Sequence, residues 1–217
     1  MINYLFSSVD KKNGFNSLQK EYLKKDIENN LSIVFISSYF DNYEKNDKSK
    51  NLFISLFNKI DIKFKNIYLI DNRITKENAK NMIQESDIVF LMGGEIYNQM
   101  KNINNFELQE YIKNKKIVIG VSAGSLNQSK NVLYLDEYKD NKIENYPGLG
   151  LVDINIYPHF DLSNLKYVYE VKKVSEYAPL IALPNSSFVR IRNDNIEYIG
   201  EYYLIDKKII KQITERN

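Results

Sequence analysis

Ser122 lies between small residues at the end of an apolar run, where its hydroxyl could act as a nucleophile. Residues 116–121 lead into Gly120-Val121-Ser122-Ala123-Gly124, the Gly-x-Ser-x-Gly pattern of a nucleophile elbow. The chain turns so sharply there that side chains at the two glycine positions would clash. The turn projects the serine oxygen away from the sheet and over a helix N-terminus, which favours negative charge. The motif alone also occurs as a purely structural turn.

His159 is the only histidine, and it follows the apolar residues 152–157. A serine hydroxyl is a poor nucleophile without an adjacent base, so any imidazole base must be His159. The chain has no cysteine, which excludes a cysteine nucleophile, disulfides and thiolate metal sites. A zinc site would need carboxylates almost alone, which zinc seldom accepts. We therefore expect neither a metal nor an organic cofactor.

A second glycine-containing turn, Gly93-Gly94, follows the apolar residues 87–92. Paired glycines allow backbone N–H groups to face a ligand closely. The N–H of Gly94 could therefore complete an oxyanion hole with the N–H of Ala123. The alternative interpretation is an ordinary turn from a strand to a helix.

Together these stretches resemble peptidase family S51, which includes peptidase E (aspartyl dipeptidase) and cyanophycinase. The family pattern is Gly-Gly after a strand, then Gly-x-Ser-Ala-Gly, then Gly-Leu-Gly-Leu leading to Pro-His-Phe. The matching residues here are 93–94, 120–124, 148–151 and 158–160, within a resemblance that spans about residues 31–191. The resemblance implies a fold similar to the class I glutamine amidotransferase domain.

The resemblance also implies roles for individual residues. Ser122 would be the nucleophile, His159 the general base and acid, and the N–H groups of Gly94 and Ala123 the oxyanion hole. In the family an Asp or Glu follows the serine by about fifteen positions, where this chain has Glu137 with Asp136 beside it. That acid would orient the imidazole and stabilise the imidazolium. We favour Glu137, with Asp136 as the alternative.

Three positions depart from the family pattern. Glu95 follows Gly93 and Gly94 where relatives have Asn or Asp, and its carboxylate could hold the free α-amino group of a substrate. Lys172 lies near the place of an arginine that reads acidic substrates in the aspartyl dipeptidases. Asn185 stands where relatives often have Glu. We therefore treat Gly93, Glu95 and Lys172 as possible substrate-binding residues, without asserting specificity for an N-terminal Asp.

Short apolar runs alternate with amphipathic stretches along the chain. Most runs are near-continuous, which is typical of strands buried on both faces of a parallel sheet. The predicted strands are residues 2–6, 31–37, 66–70, 87–92, 116–121, 152–157, 180–183 and 188–191, with helices between them. This alternation predicts one α/β domain over residues 1–217. Its mostly parallel, doubly wound sheet would carry helices on both faces, as in class I glutamine amidotransferases and flavodoxins.

Two segments fall outside this alternation. Residues 41–49 are rich in charge, and we expect a flexible surface loop there. Residues 193–210 begin with Asn193-Asp194-Asn195, a turn signal, and continue with alternating aromatic residues. We expect them to form a β-hairpin on the edge of the sheet.

Composition narrows the class of protein. Of the 217 residues, 43% are apolar. The 30 basic and 28 acidic residues leave a net charge of +2, which gives no reason to expect nucleic acid as a partner. No window approaches the ~18 apolar residues of a spanning helix, and the first residues do not resemble a signal peptide. We therefore expect a cytoplasmic protein without a membrane partner, either a monomer or a homodimer.

The function that these observations predict is an intracellular serine peptidase. It would hydrolyse short peptides, as a dipeptidase or exopeptidase, through a Ser-His-Glu/Asp catalytic triad and an acyl-enzyme. Its partner would be a small peptide substrate. The alternatives are a non-catalytic, amidotransferase-like protein that binds a small molecule, and a cyanophycinase-like hydrolase.

Overall fold

The computed structural model describes residues 1–136 and 142–213, with a seven-stranded sheet at their centre. Its strands are β1 (Ile2–Phe6), β2 (Ile33–Ile36), β3 (Ile67–Ile70), β4 (Ile88–Leu91), β5 (Ile117–Val121), β10 (Phe188–Arg192) and β11 (Asn195–Ile199). They lie in the order β11-β10-β1-β5-β4-β2-β3. Strands β1 to β5 are parallel, while β10 is antiparallel to both β1 and β11.

The described residues contain seven helices, and the first five connect the parallel strands and cover both faces of this sheet. They are α1 (Ser17–Asp26), α2 (Tyr43–Lys59), α3 (Lys76–Glu85), α4 (Ile96–Asn105), α5 (Gln109–Lys113), α6 (Ala123–Leu126) and α7 (Leu165–Val174). Polar side chains cap the first turns: Asn16 forms a capping box on α1, and Thr75 accepts a hydrogen bond from the third residue of α3. These two polar residues therefore determine where α1 and α3 begin.

The core consists of two apolar layers, one on each side of the sheet. On one side Phe35 and Phe90 pack with Phe57 of α2. On the other side Val34 and Val89 pack with residues of α3 and α4. Neighbouring residues of one strand thus enter opposite layers, and all four residues of β2 and of β4 are buried. This confirms the predicted α/β class with a mostly parallel sheet.

Two smaller sheets lie beside the main one. They contain β6 (Asn131–Asp136), β7 (Lys142–Pro147), β8 (Ile156–Tyr157), β9 (Leu180–Ala182), β12 (Tyr202–Asp206) and β13 (Ile209–Ile213). Strands β6 and β7 form an antiparallel pair, and the other four lie in the order β13-β12-β9-β8. The predicted edge hairpin is therefore divided: β11 lies on the edge of the main sheet, whereas β12 pairs with β9 and β13.

Residues 41–49 were predicted to form a flexible surface loop, and this prediction is wrong. Most of the segment is the beginning of α2. Asn42 caps the helix by accepting a hydrogen bond from the N–H of Lys45. The first turns of α2 are polar, so they do not show the apolar spacing that identifies its second half. In residues 1–136 and 142–213, no helix is long and apolar enough to cross a membrane.

Candidate active site

The turn between β5 and α6 has the backbone of a nucleophile elbow. Ser122 has φ 52° and ψ −111°, a left-handed conformation that costs a non-glycine residue on the order of 1–3 kcal/mol. Its N–H donates a 2.9 Å hydrogen bond to the carbonyl of Phe6, at the end of β1. A Cβ on Gly120 would collide with the backbone of Gly124, and one on Gly124 with the carbonyl of Leu91. The surrounding backbone thus explains the small residues of the motif.

The hydroxyl of Ser122 meets the imidazole of His159. Oγ of Ser122 lies 2.7 Å from Nε2 of His159, within reach for direct proton transfer. His159 follows the short strand β8 after one residue, and it also has a positive φ of 61°. Two strained turns therefore bring the nucleophile and the only histidine together, as the sequence predicted.

Ser7, directly after β1, fixes the backbone of His159. Its buried hydroxyl accepts a 2.8 Å hydrogen bond from the N–H of His159 and donates a 2.9 Å bond to the carbonyl of Leu183. Because the preceding residue, Phe6, holds Ser122, the end of β1 positions both members of the pair. The sequence analysis missed Ser7. The only signal was its place at the carboxyl end of an apolar run, the edge where open α/β sheets bind ligands.

Within the described residues, the second nitrogen of His159 contacts a side-chain amide. Nδ1 lies 2.7 Å from Oδ1 of Asn185. With the proton on Nδ1, His159 donates to this oxygen, and the lone pair on Nε2 faces the hydroxyl of Ser122. Asn185 therefore orients the imidazole. It is one of the three positions at which the sequence departs from the family pattern.

The acidic residues predicted to orient the imidazole are Glu137 and Asp136. Glu137 lies outside the described residues, so its role stays a prediction. The described contact of Nδ1 is Asn185, so the alternative role of Asp136 also stays a prediction. Asp136 ends β6, where its charge adds to burial in raising the pKa of the Tyr134 phenol. Asp136 thus belongs to the two-stranded β6–β7 sheet, whereas His159 follows β8 of the four-stranded sheet.

Two backbone N–H groups beside Ser122 are available to an oxyanion. Among the hydrogen bonds between described residues, none uses the N–H of Gly94 or of Ala123. Gly93 lies directly against Ser122, and its carbonyl accepts a hydrogen bond from Ser38. Gly94 has φ 138°, and a Cβ there would collide with Ser38 and Tyr39. The predicted oxyanion residues are thus placed next to the nucleophile by a turn that only glycine can form.

Comparison with known proteins agrees with this geometry. The sequence model of peptidase family S51 matches residues 4–199. The chain belongs to peptidase family S51. It is accordingly a serine-type peptidase. No curated protein matches the sequence significantly.

Two solved structures share the fold of this S51 peptidase. One is a peptidase from an acI-B1 Actinobacterium, with a TM-score of 0.68 and 13% identity over 98% of this chain and 93% of the other. The second is a candidate peptidase E from Listeria monocytogenes EGD-e, with a TM-score of 0.68 and 16% identity over 98% of both chains. At these identities the likeness extends to the fold alone.

A cavity of about 240 Å³ opens at Ser122 and His159. Its other walls include Tyr39, Gly93 and Gly94 from the neighbouring strand ends, and Phe53 from α2. Gly93 thus lines the same cavity as Ser122 and His159, and its contact with a substrate stays a prediction. The nucleophile, the base and one oxyanion donor all face this one space.

The other two predicted substrate-binding residues do not line this cavity. Glu95 is exposed at the N-cap of α4, where its charge acts on Tyr134. Lys172 lies in the last turn of α7, which packs beside β6, β9 and β12. The structure therefore gives these two predictions no support. In the part of the chain that the structure describes, no cluster of three or more His, Asp or Glu side chains could hold a metal ion.

Proposed function

We propose that this S51 peptidase hydrolyses short peptides, as a dipeptidase or exopeptidase, through an acyl-enzyme on Ser122. The observation that carries the proposal is the 2.7 Å contact between Ser122 Oγ and His159 Nε2 at a strained elbow. A strained serine on a tight turn is typical of a nucleophile and unusual for a structural residue.

The reaction begins with proton transfer from Ser122 to Nε2 of His159. The freed oxygen attacks the peptide carbonyl, and the carbonyl oxygen becomes an oxyanion bound by the N–H groups of Gly94 and Ala123. His159 then gives its proton to the leaving amine, and the C–N bond breaks. A water molecule, activated by the same imidazole, hydrolyses the acyl-enzyme and restores Ser122.

The cavity supports a short substrate. It is small, about 240 Å³, and it is bounded by rigid strand ends on one side and by α2 on the other. A cavity of this size fits a chain end of a few residues, which supports a short peptide as the substrate. We further propose that the enzyme acts in the cytoplasm, as a monomer or homodimer.

A peptide-library screen tests the proposal. The wild-type enzyme should cleave a subset of dipeptides and tripeptides, and Ser122→Ala should reduce turnover by several orders of magnitude. Ser186→Ala, at an exposed serine near the site, should retain wild-type turnover and serves as the matched control. A wild-type enzyme that cleaves no short peptide would contradict the proposal. Cleavage of β-linked aspartyl-arginine polymer alone would favour the cyanophycinase-like alternative, and binding without cleavage the non-catalytic one.

A further inference from the structure

The charged side chains that line the active-site cavity are cationic. Of the described residues that line it, Lys11 and Lys45 carry a full charge, together with the titratable His159. No Asp or Glu side chain is among them. The cavity therefore favours an anionic group on whatever ligand reaches Ser122.

Lys45 lies on the first turn of α2 without a carboxylate partner among the described residues. The two acidic residues beside it pair elsewhere: Glu44 with Lys48 at 2.6 Å, and Asp47 with Arg73 at 2.8 Å. A cation at a helix N-terminus also opposes the helix dipole, so this position does not stabilise the helix. Its charge remains available to a ligand.

The aromatic ring of Tyr39 supports the ammonium group of Lys45. Nζ lies 3.3 Å from the centre of that ring, a cation–π contact that holds the side chain at the cavity wall. A buried network fixes Tyr39 in turn. Its N–H donates to Ser37 Oγ, its carbonyl accepts from Asn46 Nδ2, and Asn46 also donates to the buried Asp71. The support is therefore rigid although Lys45 itself is exposed.

Lys11 reaches the cavity from a tight turn. Asp10 fixes this turn, because its Oδ1 accepts hydrogen bonds from the N–H groups of Lys12 and Asn13 at 2.8 and 2.9 Å. These bonds also hold the pKa of the Asp10 carboxyl below its usual value. Lys11 has no ion-pair partner among the described residues. Two separate, anchored segments thus direct unpaired cations toward one cavity.

We propose that Lys11 and Lys45 bind the C-terminal carboxylate of the peptide substrate. This proposal rests on the proposed function, because it assigns a subsite of the same cavity. A short peptide carries an ammonium group at one end and a carboxylate at the other, and the cavity supplies partners for the carboxylate. The enzyme would then select peptides whose free C-terminus lies close to the scissile bond.

Binding to the Ser122→Ala variant tests this subsite without relying on turnover. The ligands are Ala-Leu with a free C-terminus, Ala-Leu amide, and Ala-Asp amide, which carries its carboxylate on a side chain. By calorimetry at low ionic strength, Ala-Leu should bind about tenfold more tightly than its amide, because each exposed ion pair contributes a factor of roughly two to five. Added salt should reduce this preference.

Substitution of the two lysines supplies the decisive comparison. In Ser122→Ala with Lys11→Gln and Lys45→Gln, the preference for the free acid should fall to about one. Lys12→Gln and Lys59→Gln remove the same charges at the residue after Lys11 and in the last turn of α2. Both lie outside the cavity and should keep the preference. The proposal is overturned by equal affinity for acid and amide, by a preference that survives loss of both lysines, or by absence of binding.

Ala-Asp amide shows whether the subsite binds a C-terminal carboxylate or the carboxylate of an acidic side chain. Lysine-dependent binding of Ala-Asp amide without binding of Ala-Leu would assign the subsite to a side chain and overturn the C-terminal assignment. The proposed function has its own readout, which is peptide turnover by the wild-type enzyme. Turnover without discrimination between acid and amide would refute the subsite alone.

Discussion

Replacing Asn185 tests whether an amide is sufficient to orient the catalytic imidazole. Asn185 Oδ1 and His159 Nδ1 are 2.7 Å apart, and Asn185 is exposed. A neutral hydrogen bond of this kind contributes about 1 kcal/mol, so Asn185→Ala should lower kcat only about fivefold. In a triad with a buried carboxylate, by contrast, loss of the charge lowers kcat on the order of 10⁴-fold.

The converse substitution, Asn185→Asp, should accelerate the reaction. A hydrogen bond to a charged group contributes about 1.5–3 kcal/mol, which is roughly 0.5–2 kcal/mol more than the amide provides. The middle of this range is about 1–1.5 kcal/mol. Because the carboxylate would act on the imidazolium that forms in the transition state, kcat should rise about five- to tenfold. The rise should be measured on the alkaline plateau of the pH–rate profile, with the best peptide from the library screen.

Ser186→Asp is the matched control, since it adds the same charge to the neighbouring exposed residue. It should leave kcat close to the wild-type value. Two results would refute the reasoning: a loss of 10³-fold or more in Asn185→Ala, or no gain of Asn185→Asp over Ser186→Asp. The chain has one histidine, so proton NMR can follow its Nδ1–H signal without assignment. That signal should weaken in Asn185→Ala.

Three further substitutions have defined consequences. Ser7→Ala removes the acceptor of the His159 N–H, so kcat should fall about tenfold with little change in KM, as measured by steady-state kinetics. Gly124→Ala forces a methyl group against the backbone of β4, which should cost about 1–3 kcal/mol in thermal unfolding and abolish turnover. Arg190→Ala leaves the carboxylate of Asp26 buried and unpaired, which should cost about 3–5 kcal/mol in urea unfolding.

Each of these has a contradicting outcome. Ser7→Ala would disprove the positioning role if KM rose and kcat stayed constant. A Gly124→Ala enzyme with normal stability and turnover would show that the elbow is less tightly packed than described. Arg190 lies on β10, away from the cavity, so Arg190→Ala should keep wild-type activity per folded molecule. Loss of activity in the folded variant would link this ion pair to the site.

The central sheet and the nucleophile could be predicted because local sequence determines them. The residues of β2 and β4 are apolar without interruption, and only strands buried on both faces combine that pattern with so short a length. The elbow around Ser122 left a signal in the local sequence because one of its close contacts, that between Gly120 and Gly124, lies within the motif. His159 was predictable by elimination, because the chain offers no other imidazole.

The other parts of the site depend on tertiary contacts between distant segments. Asn185 lies 26 residues after His159 and reaches it only because β9 pairs beside β8. Nothing local to residues 41–49 shows that their charged side chains begin a helix, or that Lys45 would face the same space as Lys11. Glu95 was predicted to bind the ammonium group of a substrate because it directly follows Gly94 in the sequence. Glu95 stands at the N-cap of α4 and is not among the residues that line the cavity, so its role stays a prediction.

The pair of Ser122 and His159 is tested most directly by a fluorophosphonate probe with mass spectrometry of the labelled peptide. The probe should modify Ser122 in the wild-type enzyme, and His159→Ala should reduce the labelling rate by several orders of magnitude because the hydroxyl loses its base. Complete inertness of the folded wild-type protein, or equal labelling without the imidazole, would contradict the account.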